Sequence, residues 1–130
     1  MTLTQPDDSV TTAFLDAFAQ AWNRHDLDAL MTFMTEDCVF QSWMGPDACG
    51  TRYVGQVAVR AGFQRAWQDV PDAQWHRAQH LVMGDRGLSE WVFTGTHARD
   101  GRAVEVHGCD LFTFHDGRIR IKDSWRKVRA

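Results

Sequence analysis

A chain of 130 residues has room for one domain of ordinary size, and 44% hydrophobic with 24% charged residues excludes a disordered, collagen-like or low-complexity protein. Lys and Arg number 14 against 17 Asp and Glu, so the net charge of -3 gives no general attraction to nucleic acid or to an anionic membrane, and neither is expected as a partner. The aromatics are 6 Trp, 8 Phe and 1 Tyr, a set that packs in an apolar interior or pocket with few hydroxyls to satisfy.

Cys38, Cys49 and Cys109 are odd in number and have no close Cys-Cys or Cys-His spacing, so neither a disulfide framework nor a zinc site is expected. The opening MTLTQPDDSV has no basic start and no apolar run, and nowhere do about 18 consecutive apolar residues occur. The expectation is a cytoplasmic protein with reduced thiols.

Val10, Ala13, Phe14, Ala17, Phe18, Ala21 and Trp22 follow helical spacing, with Asp7, Asp8 and Ser9 as expected caps. Asp26 is expected to cap a short second helix carrying Leu27, Leu30, Met31 and Met34 and ending before Glu36-Asp37. Residues 38–43 read as a strand. A third helix is expected from about Gly55 to Gln68, stopped by Pro71. From residue 75 the pattern changes to alternation, broken at Gly84-Asp85-Arg86-Gly87, Asp100-Gly101 and Asp116-Gly117, which predicts a four-stranded antiparallel meander. Helices followed by strands indicate an α+β fold with three N-terminal helices on one face of a curved antiparallel sheet.

The turns also predict register. With Asp116-Gly117 as a two-residue turn, Phe112 pairs with Ile121, Asp110 with Asp123 and Gly108 with Trp125. With Asp100-Gly101 as another, His97 pairs with Val104, Phe93 with Gly108 and Trp91 with Asp110. Both put Trp91, Phe93, Asp110 and Phe112 on the inner face, beside Asp123 and Trp125. Gly108 would then leave open space between large rings.

The element order, the opening AFAQAWNRHDLDALMTFMTEDCVF, the string FTGTHARDGR and the ending FTFHDGRIR resemble the nuclear transport factor 2-like superfamily, and within it SnoaL-like proteins and ketosteroid isomerases. The resemblance covers about residues 10–128 of a single domain spanning 1–130. It implies a cone-shaped half barrel with an apolar ligand pocket at its open end and a homodimer through the outer face of the sheet, where Val92, Cys109 and Leu111 are apolar. Ketosteroid isomerases use an aspartate base, a tyrosine and a second, protonated aspartate. By the resemblance Asp110 falls at the protonated aspartate, whereas Phe18 stands at the tyrosine and Ser42 at the base, so a copy of the isomerase mechanism is excluded. His97, within FTGTHARDG, resembles a histidine frequent in SnoaL-like sequences.

The candidate catalytic residues are therefore Asp110 as proton donor or oxyanion stabiliser, with Asp123 or His97 as base; an Asp110–Asp123 pair would share a proton. Phe18, Phe40, Ser42, Trp67, His80, Trp91, Phe93, Phe112 and Trp125 are the candidate substrate contacts. His80 faces the pocket if residues 84–87 form a four-residue loop. Cys38 reads as a core filler, His25, His107 and His115 as surface groups, and Arg118, Arg120 and Lys122 as lying on the outer face. No phosphate-binding glycine loop or metal-ligand spacing occurs, so no cofactor and no metal are expected. The expected function is cofactor-independent acid-base chemistry, of isomerase, cyclase or dehydratase type, on an apolar cyclic metabolite. The alternative is a non-catalytic ligand-binding or accessory protein using the same cone.

Overall fold

The computed structural model describes residues 10–130, and the described residues form three helices and six strands. In chain order these are α1 (Thr12–Asn23), α2 (Leu27–Thr32), β1 (Met34–Gln41), β2 (Arg52–Val54), α3 (Gln56–Asp69), β3 (Gln74–Met83), β4 (Arg86–Thr96), β5 (Ala103–His115) and β6 (Arg118–Arg126). The strands make one curved, unclosed sheet in the order β2-β1-β6-β5-β4-β3. β3 to β6 are the expected antiparallel meander, while β1 runs parallel to β6 and carries the short β2 on its outer side.

Local chemistry sets the helix ends. The Thr11 hydroxyl accepts the Phe14 amide at 3.2 Å and caps α1; the caps expected at Asp7, Asp8 and Ser9 lie outside the described residues. Asp26 caps α2 as expected, accepting from the Ala29 amide at 3.1 Å. Met34, expected on that helix, instead opens β1, whose Glu36 and Asp37 face water between buried Met34 and Cys38. α1 buries Leu15, Phe18, Ala21 and Trp22 against the concave side of the sheet. Phe18 is central there, with the rings of Trp22, Phe33, Phe63 and Phe112 all within 6.5 Å of its own. Each such ring taken from water contributes about 1.5–3 kcal/mol, so this aromatic core fastens the helices to the sheet.

The turns depart from the expected register in three ways. Asp116-Gly117 is the expected two-residue turn, with φ of 50° and 76° and His115 paired to Arg118. Immediately beyond it, Phe114 pairs with Ile119 but Thr113 with Ile121, so Arg120 is a bulge residue. The remainder of β6 is thereby shifted by one, and Asp110 pairs with Ser124 rather than Asp123. The Asp100-Gly101 connection is a longer loop in which the Asp100 carboxylate caps the Arg102 amide at 3.0 Å. Trp91 consequently pairs with Gly108, and Ser89 with Asp110. Residues 84–87 turn more tightly than expected, with Met83 opposite Arg86 and His80 opposite Ser89. The last two errors are shifts of two, which keep Trp91, Asp110 and His80 on their expected face; the shift of one does not do so for the residues of β6 beyond it.

Candidate functional site

One row of polar side chains crosses the concave face. His80 on β3 is paired with Ser89 on β4, Ser89 with Asp110 on β5, and Asp110 with Ser124 on β6. Two bulges make this row possible. In β3, Arg77 and Ala78 together oppose Trp91, with Arg77 at φ 54°, so Trp75 and His80 both face inward although five residues apart. In β6 the Arg120 bulge does the same for Ile119 and Lys122.

Lys122 is the consequence. Its ammonium donates to Asp110 Oδ1 at 2.9 Å and to Ser124 Oγ at 2.8 Å, and Ser124 Oγ donates to the same Oδ1 at 2.5 Å. The Trp91 indole donates to Oδ2 at 3.0 Å. Its ring occupies the space above Gly108, where a Cβ would come within 2.5 Å, so that glycine seats a tryptophan rather than opening a cavity. Lys122 and Asp110 are 5% and 6% exposed, and the ammonium also lies 4.8 Å from the centre of the Phe40 ring and 5.1 Å from that of Trp22. Three donors thus converge on one carboxylate, and the buried ammonium beside it forms an ion pair with it.

A narrow cavity of about 30 Å³ lies between α1 and this row. Phe18, Ala19 and Trp22 wall it from the helix, Trp75 and Ala78 from β3, and Ser89, Trp91, Asp110, Phe112 and Lys122 from the sheet floor. It has room for one or two waters. His80 lies behind Ser89, its Nδ1 2.7 Å from Ser89 Oγ and its Nε2 3.6 Å from Asp16 Oδ1 on α1.

Of the residues expected at the site, Asp110, Phe18, Trp91 and Phe112 meet at the cavity, and His80 stands one hydroxyl away from it. Others do not reach it. Asp123 is on the convex face opposite Leu111, where burial pushes its carboxyl up and the nearby Asp110 charge adds to that, against the downward pull of the Trp125 indole. An Asp110–Asp123 pair sharing a proton is therefore ruled out by the bulge, and Trp125, from the same strand segment, is 56% exposed on that outer side. His97 follows β4 in the loop to β5, where its amide bonds Arg102, and is not in the pocket. Phe40 and Phe93 are buried in the hydrophobic core, while Trp67 packs against Trp22 and His25; Ser42, half-buried beyond β1, donates its amide to the Thr51 carbonyl. His25 is not a plain surface group either, since its ring stacks on Trp67 and its Nε2 meets the Ala73 carbonyl at 2.8 Å. Cys38 is fully buried, and that burial raises its thiol, which opposes a nucleophilic role.

Sequence reasoning missed Lys122, Ser89, Ser124 and Arg126. Past the bulge, Arg126 also turns inward, its guanidinium 3.9 Å from the Phe93 ring centre and 4.4 Å from that of Trp43. Burial lowers it to about 10 against the opposing pull of Asp110 and Asp69.

Residues 15–121 match the family model of the SnoaL-like domain. The chain belongs to the SnoaL-like family. Among solved structures it is similar to a candidate polyketide cyclase from Xanthomonas campestris pv. campestris, at 24% identity and a TM-score of 0.77 over 88% of this chain and 87% of that one. It is also similar to a protein of ketosteroid isomerase-like fold from Catenulispora acidiphila in complex with trimethylamine, at 18% identity and TM-score 0.76 over 89% and 86% of the two chains. TerC, co-crystallized with polyporic acid, aligns at 14% identity and TM-score 0.72 over 87% and 88%. At these identities the likeness to each structure shows the fold alone. No curated protein matches the chain. This SnoaL-like chain shares the curved sheet of its family.

Proposed function

We propose that this SnoaL-like protein is a cofactor-independent acid-base enzyme of cyclase, isomerase or dehydratase type, acting on a small apolar cyclic metabolite between α1 and the sheet. The observation that carries the reading is the Lys122–Asp110 pair beneath an aromatic cavity. Such a pair contributes little stability compared with well-packed apolar side chains, so its presence at the floor of a cleft is better accounted for by chemistry than by packing. The ammonium uses two of its three N–H groups on Asp110 and Ser124, leaving one for a ligand oxygen.

Cyclisation, isomerisation and dehydration of cyclic ketones share a step in which a proton leaves the carbon beside a carbonyl and charge gathers on its oxygen. Lys122 would hold that oxygen, with Asp110 and Trp91 fixing the ammonium and carboxylate so that little reorganises during the step. The rings of Phe18, Trp22 and Trp75 would flank a flat molecule. Because the space is small, α1 must separate from β3 along Ala19 and Ala78 to admit one. The reading also includes a homodimer through the convex face, where Val92, Cys109 and Leu111 sit opposite the pocket side and Trp125 and Leu81 are exposed; light scattering at micromolar concentration reads its mass.

Polyporic acid, a hydroxylated quinone, is a suitable probe. Saturable quenching of the tryptophan fluorescence, abolished in Lys122→Met, is the expected result. Absence of binding by this quinone and by a panel of cyclic ketones would overturn the proposal, and binding of ketones without turnover would favour a ligand-binding role.

A further inference from the structure

Three residues from distant parts of the chain, of which Ser89 lines the cavity, lie in line from it to the surface of α1 without a role in the chemistry described so far. Asp16 lies on the outer side of α1 with its side chain 53% exposed, whereas that of His80 is only 7% exposed. Gln20 donates to Asp16 Oδ2 at 2.6 Å, which leaves Oδ1 turned toward His80 Nε2 at 3.6 Å. That nitrogen is buried and has no hydrogen-bond partner among the described residues. On the other side of the ring, Nδ1 is 2.7 Å from the hydroxyl of Ser89, itself 5% exposed and lining the cavity.

We infer that Asp16, His80 and Ser89 form a proton line from the surface of α1 to the cavity, in which Ser89 exchanges protons with a bound molecule and His80 is the base behind it. The inference rests on the acid-base reading above and supplies the base that reading lacks. Both oxygens of Asp110 are already occupied, Oδ1 by Lys122 and Ser124 and Oδ2 by Trp91. Asp123 and His97 lie outside the cavity.

A histidine serving packing alone would have both ring nitrogens satisfied, since an unmet buried one costs about 1–3 kcal/mol. Here the unmet nitrogen points at a half-exposed carboxylate, a separation that closes to a hydrogen bond with a small movement of either group. The neutral ring carries its hydrogen on Nε2, facing Asp16, and accepts the Ser89 hydroxyl at Nδ1. When Ser89 Oγ takes a proton from the ligand, its own hydroxyl proton passes to Nδ1. The imidazolium so formed lies against the Asp16 carboxylate, and its Nε2 proton leaves to bulk water there. One proton has moved from cavity to solvent; the reverse sequence returns it. The charged groups facing His80 are Asp16 from α1 and, across the cavity, Asp110 with Lys122.

Lys122 provides a probe that needs no ligand, because its ammonium lines the same cavity and its protons must reach water to exchange. NMR of the full-length protein with ¹⁵N-labelled lysine and histidine reads both ends of the line. The expected results are an Nε2–H tautomer for His80 and an exchange of the Lys122 ammonium slowed at least roughly tenfold in both His80→Gln and Ser89→Ala. An Nδ1–H tautomer would overturn the inference, as would unchanged exchange in the folded variants; either variant suffices if the other does not fold. The measurements are made without ligand, so their failure is separate from failure of the polyporic acid titration.

Discussion

The central pair of strands and the strands on either side of it obey different rules. β4 and β5 pair without interruption over eleven residues, and every side chain follows strict alternation between the concave and convex faces. β3 and β6, which flank them, each carry one bulge, at Arg77 and at Arg120. The regular ladder contributes the cavity's apolar and acidic floor, Trp91, Asp110 and Phe112, whereas the bulged strands contribute two basic side chains, Lys122 at the cavity and His80 one hydroxyl behind it. An added residue changes the phase of alternation, which lets a strand present a hydrophobic residue at one end and a polar one further along on the same face. In this protein the sites of chemistry coincide with those phase changes.

The largest effect should come from the residue that the β6 bulge turns inward. Lys122→Met removes the cation and leaves Asp110 buried with only Ser124 and Trp91, a loss of about 3–5 kcal/mol in urea unfolding. Arg120→Met, in the bulge itself, removes only an exposed contact to Asp37 at 3.4 Å and should stay within about 0.5 kcal/mol. Combining Lys122→Met with Asp110→Leu should recover most of the loss, since no unpaired charge then remains. A cost below about 1 kcal/mol for Lys122→Met would mean that the pair is solvated and that the two faces of β6 are not as different as described.

A smaller effect tests the other bulge. Arg77 is exposed and holds φ at 54°, a left-handed conformation that costs a residue with a Cβ about 1–2 kcal/mol. Arg77→Gly removes that strain, offset in part by the greater freedom of glycine in the unfolded chain, so stability should rise by about 0.5–1 kcal/mol. A loss of stability would show that this backbone is not left-handed and that β3 reaches His80 by another path.

The contrast also explains which parts of the molecule were legible beforehand. The change from helical to alternating periodicity near residue 75 marks the boundary between α3 and the meander correctly, because each element is long enough to bury one face. The hairpin at Asp116-Gly117 was legible from its turn residues, since both occupy positive φ. The loops after β3 and β4 were misjudged by even numbers of residues, so Trp91, Asp110 and His80 still fall on the expected side. A bulge leaves no such protection. Arg118, Arg120 and Lys122 alternate with Ile119, Ile121 and Asp123, a pattern that favours a regular strand with its bases outward; nothing local marks Arg120 as the extra residue. The pairing of Phe114 with Ile119 fixes the bulge, and that is a property of the folded sheet. β2 escaped for a different reason, since three residues after a Gly, Pro and Asp cluster carry too short a pattern to read.

The smallest effect concerns the carboxylate that the bulge turned outward. Asp123 lies one residue from Lys122 but on the convex face, and it is held above its ordinary value of 3.8 chiefly by burial. Raising an acid in the folded state means that folding favours its protonated form, so the folded chain binds more protons than the unfolded one between the ordinary and the raised value. Stability therefore falls as pH climbs through that window and remains lower above it. Asp123→Asn keeps a side chain able to accept from the Trp125 indole and has no charge to desolvate. Its unfolding midpoint should exceed that of the wild type near neutral pH, and the difference should shrink toward zero as the medium is acidified below the ordinary carboxylate range. The corresponding change at Asp110 should run the other way at neutral pH, because there the charge is matched by Lys122 and removing it strands the ammonium. Thermal melts of both variants from about pH 3 to pH 7 make the comparison. If Asp123→Asn is destabilising at neutral pH, the carboxylate has a charged partner on the convex face besides the Trp125 indole, and the contrast between the two sides of β6 fails there.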